Sequence, residues 1–577
     1  MTPGRRVVDP AMAERYRRRG WWTSATLLDD FLATADRHPG ATAVVSHRQG
    51  RERPRRHTYA ELELASRRCA AALIDLGVER GEAVSVQLPN GWEFPALALG
   101  ILRAGAVVNP LVPIFRRREL AFILGRTGGR VLVVPDRFRG HDHRAMAAGL
   151  RHEVDTLEHL VVVDWGDGRS PAGGVGVAAG DDGTIDFGAG FAERAWEAEP
   201  ADRLGFDLEA ELEARRPGAD DLLEIMFTSG TTGEPKGVLH SHNTVRAGGR
   251  CLTGIYGLGP DDACFMASTL AHQTGFGYGM LLPLAMGATV VYQDVWDPDR
   301  ALTAMADEGV VWTVSATAFA MDLVAAHRRA DGDRPDLSRF RYFICGGAPI
   351  PPKVVEDSAE VLGVELVAVW GMTENMIVTT TRPGDPVELV SDSDGTPVDW
   401  MEIRVVGEDG RPVAVGESGD LWCRGPSQAL GYFHRDDLYA AASPEEDWFD
   451  TGDVARLRPD GGIRIVGRTK DLVIRGGENV PVAEVEDLLL RHPSVAEVAV
   501  VAVPDERLGE RACAVVTPVA GVEPPTLGQL TAELDRAGMA RQFWPERLVV
   551  MDEMPHTPSG KVQKFRLRDR VIDQAGP

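Results

Sequence analysis

Phe227-Thr-Ser-Gly-Thr-Thr-Gly-Glu-Pro-Lys-Gly237 is the stretch whose reading decides this chain. It combines three glycines with the hydroxyls of Thr228, Ser229, Thr231 and Thr232 and a single cation, Lys236. Glycines let consecutive backbone N–H groups point at an anion without Cβ obstruction. The spacing is not the G-x-x-x-x-G-K-[ST] of a Walker A loop. Five residues past Gly230 stands Pro235, and Gly237 follows the lysine. Glu224-Ile-Met-Phe227 ahead of the loop reads as a strand, and the segment after Gly237 reads as the start of a helix. On composition alone the loop is either a phosphate cradle or a flexible surface turn.

Around this loop lies a chain of 577 residues, too long for one compact core, which implies at least two domains. Hydrophobic residues make up 44% and charged residues 26%, the balance of an ordinary globular protein. A net charge of −24 repels nucleic-acid phosphates and anionic lipid, so neither is expected as a partner. The basic run Arg15-Tyr-Arg-Arg-Arg19 is short and reads as a solvated helix. Six scattered cysteines, none in a CxxC, argue against a zinc site or a disulfide framework and point to reduced thiols in the cytoplasm. No apolar core follows the basic N-terminus, so no secretory signal is expected. The greasy region Phe94 to Phe115 is broken by Arg103, Asn109 and three prolines, which suits buried helix and strand rather than a membrane span.

Short β-branched runs (131–134, 160–163, 288–292) alternate with helix-like segments such as Tyr59 to Leu76. That alternation predicts α/β layers with mostly parallel sheets. Residues 165–221 change to Gly, Asp and Ala and then to an acidic helical stretch at 208–215. They read as a long, solvated surface insertion. From Asp471 onward, strand, helix (482–491) and two strands (496–503 and 512–517) make a small α+β domain.

Four later segments narrow the meaning of the loop. They are Cys345-Gly-Gly-Ala-Pro349, Trp370-Gly-Met-Thr-Glu374, Asp450-Thr-Gly-Asp453 with Gly467-Arg468, and Pro558-Ser-Gly-Lys561. Together with the loop, and in this order, they resemble the motifs of the adenylate-forming superfamily of acyl-CoA synthetases, nonribosomal-peptide adenylation domains and luciferases. The resemblance runs from about residue 24 to 570. Its wording is closest to bacterial cyclohexanecarboxylate-type and short-chain acyl-CoA ligases.

The resemblance implies a large N-terminal domain of layered α/β subdomains (1–467), a hinge (468–471) and a small mobile α+β lid (472–577). Thr228, Ser229, Gly230, Thr231, Thr232 and Lys236 would cradle the ATP phosphates. Gly346, Gly347, Ala348, Pro349 and the Trp370-Gly371-Met372 stretch would surround adenine, and Asp453 with Arg468 would hold ribose. Thr373 would donate to the α-phosphate, Glu374 would hold Mg²⁺, and Lys561 would bridge acid and α-phosphate. Two anions must meet in this chemistry, so supplied positive charge and orientation are its main requirement. His272, Gln273, Thr274 and Gly277 fall on the family's acid-pocket helix. Lys470 stands at the hinge, and Gly476 and Gly477 line the route of a pantetheine thiol.

The activity so implied is ATP-dependent conversion of a carboxylic acid to its adenylate, with pyrophosphate released, followed by transfer to CoA. A carrier-protein thiol, an amine, or nitrite activated for an aryl amine are alternatives that the motifs leave open. No carrier domain follows within the chain, which favours a stand-alone ligase using free CoA, and a homodimer is compatible with it. A kinase or P-loop ATPase is disfavoured by the missing Walker spacing.

Overall fold

A computed structural model describes residues 10–165, 183–228, 235–330, 334–348, 350–407, 409–445, 447–468, 473–475, 478–480, 482–505, 509–537, 539, 541–556 and 562–575. Two large sheets form the body. One has nine strands and runs in spatial order from Thr396–Pro397 at one edge to Arg55–Thr58 at the other. Within it Glu365–Met372, Tyr342–Gly346, Val310–Ser315 and Ala263–Met266 lie side by side and parallel. The second has seven strands, from Lys236–Ser241 to Thr184–Asp186, and is parallel apart from its first pair. Strands covered on both faces read as unbroken apolar runs: Val131 to Val134 and Val161 are wholly buried.

Helix and strand expectations hold at Tyr59–Asp75, capped by Thr58 and Glu61 in a reciprocal box, and at Val131–Pro135 and His159–Val163. Two differ. After the Gly-rich loop comes not a helix but a strand, Lys236–Ser241, antiparallel to Leu222–Thr228; the helix starts only at His242, where Ser241 caps it. The 165–221 region is also more than a solvated insertion. Residues 184–186 add the seventh strand, parallel to its neighbour, and Phe187, Phe191 and Trp196 sit in the main core. Polar residues around them masked this, because three separated aromatics carry no periodicity.

Residues 402–468 form a four-stranded antiparallel sheet that the alternation rule did not anticipate. Beyond it, five strands and the helices Val482–Leu489, Leu527–Arg536 and Lys564–Ala575 form the small α+β unit. It packs a core of its own around Val485, Leu489, Val500, Ala514 and Leu530. Arg464 of the antiparallel sheet reaches across to Asp487 of the unit's first helix, 2.6 Å away.

Candidate active site

The parallel strands of the nine-stranded sheet deliver three of the singled-out segments to one edge. Gly346 and Gly347 end Tyr342–Gly346, Trp370 to Glu374 end Glu365–Met372, and His272 to Gly277 follow Ala263–Met266. The carboxyl ends of parallel strands are where α/β sheets bind ligands. Backbone crowding explains the glycines. A Cβ on Gly346 would come within 2.5 Å of the Val369 carbonyl, and one on Gly371 within 2.1 Å of the Met376 carbonyl.

The seven-stranded sheet brings the two strands that flank residues 229–234 to the same place. Thr228 closes the leading strand (Leu222–Thr228) and pairs with Lys236, which opens the return strand (Lys236–Ser241). The free edge of the return strand pairs with residues 430–433, so Tyr432 is fixed opposite Val238. Lys236 Nζ stands 4.9 Å from the centre of the Tyr432 ring, and Tyr432 donates its hydroxyl to Glu374 Oε1 at 2.8 Å. Burial, followed by the Glu374 charge, holds the phenol above its ordinary pKa, so it stays a donor.

His240 ties the return strand to the same turn. Its Nε2 donates to the Thr373 carbonyl at 2.7 Å, and Nδ1 lies 3.0 Å from Thr244 Oγ1. Burial pushes this imidazole down to about 4, so it is neutral at physiological pH. Cation, phenol, carboxylate and threonine thus converge from two sheets. Tyr432 and His240 were absent from the sequence-derived set. They lie outside the motifs and reach the site only by strand pairing that spacing does not reveal.

Asp453 is buried and accepts from Trp370 Nε1 at 2.9 Å. Trp370 therefore holds the carboxylate expected to meet ribose, in addition to the adenine role expected of it. Thr451, anchored on the Leu421 carbonyl, accepts from the Asp453 backbone N–H, and Asp453 pairs with Arg468 across the sheet. Neighbouring Asp450 is raised above the usual carboxylate range by burial, with Asp420 and Asp453 adding to the effect.

The segment expected to face the acid is a π-helix over Thr274–Leu281, entered by a turn that Asn90, in the loop after the strand Ala83–Val86, clamps at Ser268 and Leu270. Wider helices of this kind often mark functional sites. His272 and Thr274 are half-buried, whereas Gln273 is buried with its Nε2 2.8 Å from Met376 Sδ. Met376 takes a left-handed φ of 59°, which turns the chain back immediately after Glu374-Asn375. Gly277 borders the same spot: a Cβ there would lie 3.2 Å from Met376 Cε.

Ser229, Gly230, Thr231, Thr232, Pro349, Lys470, Gly476, Gly477 and Lys561 lie outside the described residues, as does the side chain of Arg468. The backbone on either side of the 557–561 segment is joined by an antiparallel bridge between His556 and Val562. His556 also pairs with Glu497 at 3.2 Å.

The segments that the resemblance singled out thus converge from two sheets, as an adenylate-forming enzyme requires. Sequence comparison makes the assignment specific: the chain belongs to the AMP-binding enzyme family, matched over residues 31–433, with the family's C-terminal domain matched over 484–561. It is 35% identical over 570 residues to a salicylyl-CoA synthase / salicylate adenylyltransferase of Streptomyces sp, covering 98% of this chain and 97% of that one. It is 33% identical over 557 residues to a medium-chain fatty-acid–CoA ligase of Escherichia coli (strain K12), covering 96% and 92%. Among solved structures, the anthranilate CoA ligase AuaEII in complex with anthranoyl-AMP shares the fold, with a TM-score of 0.79 at 22% identity over 96% of this chain and 98% of that one. The protein is an AMP-forming ligase, and its class chemistry is adenylation of a carboxylic acid followed by transfer to a thiol. No helix among the described residues is long and apolar enough to cross a membrane.

Proposed function

We propose that this ligase activates a small carboxylic acid with ATP, releases pyrophosphate, and passes the acyl group to the thiol of CoA, leaving AMP. The observation that carries the reading is the convergence of Lys236, Tyr432, Glu374 and Thr373 beside the strand Lys236–Ser241. In this reading Lys236 and the loop hydroxyls hold the phosphates that depart together, and Thr373 orients the α-phosphate. Lys561 offsets the charge of the attacking carboxylate. Asp453, Arg468 and Trp370 fix the nucleoside, while His272, Gln273, Thr274 and Gly277 face the acid.

Glu374 is the residue that would hold Mg²⁺. It is a buried carboxylate with Oε1 oriented by Tyr432, and no cluster of three potential metal ligands exists among the described residues. A single carboxylate completed by phosphate oxygens and water suits an ion that dehydrates reluctantly. When bound, the ion neutralises phosphate charge.

Residues 468–471 serve as the joint about which the small unit turns between half-reactions, with Gly476 and Gly477 flanking the thiol's path. Such rotation can limit turnover. A cytoplasmic setting and a homodimer complete the reading. The test is a panel of acids assayed for pyrophosphate release, with active acids then offered CoA, a carrier protein or an amine and the products weighed by mass spectrometry. An acyl-CoA with AMP is the expected outcome; ADP would sink the mechanism, and product with amine alone would remove CoA as the acceptor.

A further inference from the structure

The turn between the strands Glu365–Met372 and Met376–Thr380 carries two residues expected at the reaction, Thr373 and Glu374. Each carbonyl of this turn is held from outside it. The Thr373 carbonyl accepts from His240 Nε2 at 2.7 Å, and the Glu374 carbonyl accepts from the Ala429 N–H at 2.7 Å. The Asn375 carbonyl accepts from Ser427 Oγ at 2.9 Å. Two of these donors belong to the segment that runs into residues 430–433. The third, His240, comes from the strand Lys236–Ser241, the one that Lys236 opens.

His240 is wholly buried, and the chemistry of its partners fixes its tautomer. A carbonyl can only accept, so the hydrogen of the neutral ring sits on Nε2 and leaves Nδ1 as an acceptor. Thr244 Oγ1 occupies that side, 3.0 Å from Nδ1, and itself accepts from the Ser241 N–H at 2.9 Å. Opposite His240 in the ladder stands Glu224, also wholly buried. Burial pushes the Glu224 carboxyl up to about 8, so it places little negative charge beside the ring at neutral pH.

An aliphatic side chain would fill the space between strand and turn without the cost of burying a polar ring. What the imidazole adds is a grip on one peptide plane. The peptide unit is planar, so fixing the Thr373 carbonyl fixes the link between Thr373 and Glu374. That link joins the hydroxyl expected at the α-phosphate to the carboxylate expected at Mg²⁺.

We propose that His240 is a positioning residue for adenylation: it holds the Thr373–Glu374 peptide so that the Thr373 hydroxyl meets the α-phosphate. It thereby ties the α-phosphate contact to the strand that begins at Lys236. The inference rests on the reading above that Thr373 orients the α-phosphate. Displacing a catalytic contact by about 1 Å can cost on the order of 10² in rate, even when the altered residue touches no substrate.

The test follows pyrophosphate release, with an acid found active in the panel above, from ATP and from the two diastereomers of its α-thio analogue. Sulfur accepts a hydrogen bond poorly, so placing it where Thr373 donates slows that diastereomer alone. The wild type is expected to separate the two by about 10-fold or more in kcat/KM. His240→Leu should lower kcat with ATP by about 10-fold or more, change KM for ATP by less than about 3-fold, and shrink the separation several-fold. His240→Gln, whose amide keeps a donor near the Nε2 position, should return most of both. His240→Met serves in place of the leucine variant should that chain aggregate. Thr373→Val is the control. If it shrinks the separation and His240→Leu does not, the ring is a structural residue and the proposal is overturned. If Thr373→Val leaves the separation intact, or the wild type shows none, Thr373 does not meet the α-phosphate, and the reading beneath the proposal falls with it.

Discussion

At the scale of single residues, the site depends on groups that are useful because their ionisation is controlled. Tyr432 is kept a phenol beside the Glu374 carboxylate, so it orients one oxygen of that carboxylate. Tyr432→Phe should leave the fold intact and lower kcat/KM for ATP by about 10-fold, since a hydrogen bond to a charged group is worth roughly 1.5–3 kcal/mol. An unchanged value in the pyrophosphate assay would show that Glu374 needs no such orientation. Lys561→Ala should abolish acid-dependent pyrophosphate release, a loss on the order of 10²–10³ or more, yet retain thioester formation from supplied acyl-adenylate. Equal loss of both would contradict its role. Glu224 gives a pH signature. Its folded pKa, about 8, lies above that of the unfolded chain, so the native state binds the extra proton between those values. Its contribution to stability therefore falls as pH rises from about 4.5 to about 8. Glu224→Gln should raise Tm by a few degrees at pH 8 and by progressively less toward pH 5, as followed by calorimetry. A pH-independent gain would mean the carboxyl is not titrating there.

At the scale of elements, the sequence was most legible where one strand or helix spoke for itself. Val131–Pro135 is uniformly apolar because both faces are covered, and Tyr59–Asp75 announces itself by spacing and by its capping residues. What remained hidden were pairings. Lys236 to Ser241 alternates weakly and holds two polar residues near its end, so only its partner strand makes it a strand. His240 and Tyr432 enter the site through such pairings, and Glu224 looked like one polar residue in an otherwise apolar strand. The motifs themselves were readable because backbone crowding restricts them. Gly371, facing the Met376 carbonyl at a strand irregularity, is the clearest case. Gly371→Ala should displace the Thr373–Glu374 turn, lower stability by about 1–3 kcal/mol as strain of this kind does, and cut adenylation more than stability alone explains. Wild-type pyrophosphate release by a folded Gly371→Ala protein would show that the turn can yield.

At the scale of the molecule, the small C-terminal unit rests on the body partly through Arg464, which meets Asp487 at 2.6 Å and Asp394 at 3.8 Å. Burial raises Asp487 to about 6, so its ionised form is not a strong source of stability. Asp487→Asn should accordingly change Tm by less than about 2 °C, yet speed hydrogen exchange over Val482–Leu489 several-fold by loosening the contact. A large Tm loss without faster exchange would recast the pair as part of the fold's core. The strand Leu222–Thr228 carries one further constraint. Glu224 and Thr228 lie four residues apart on one face of it, about 13 Å along the chain. Inserting or deleting a single residue between them would turn one of the two to the opposite face. Length variation is thus closed to this segment, whereas point exchange at 224 leaves the register untouched. A graft of this segment must carry the strand and its loop together.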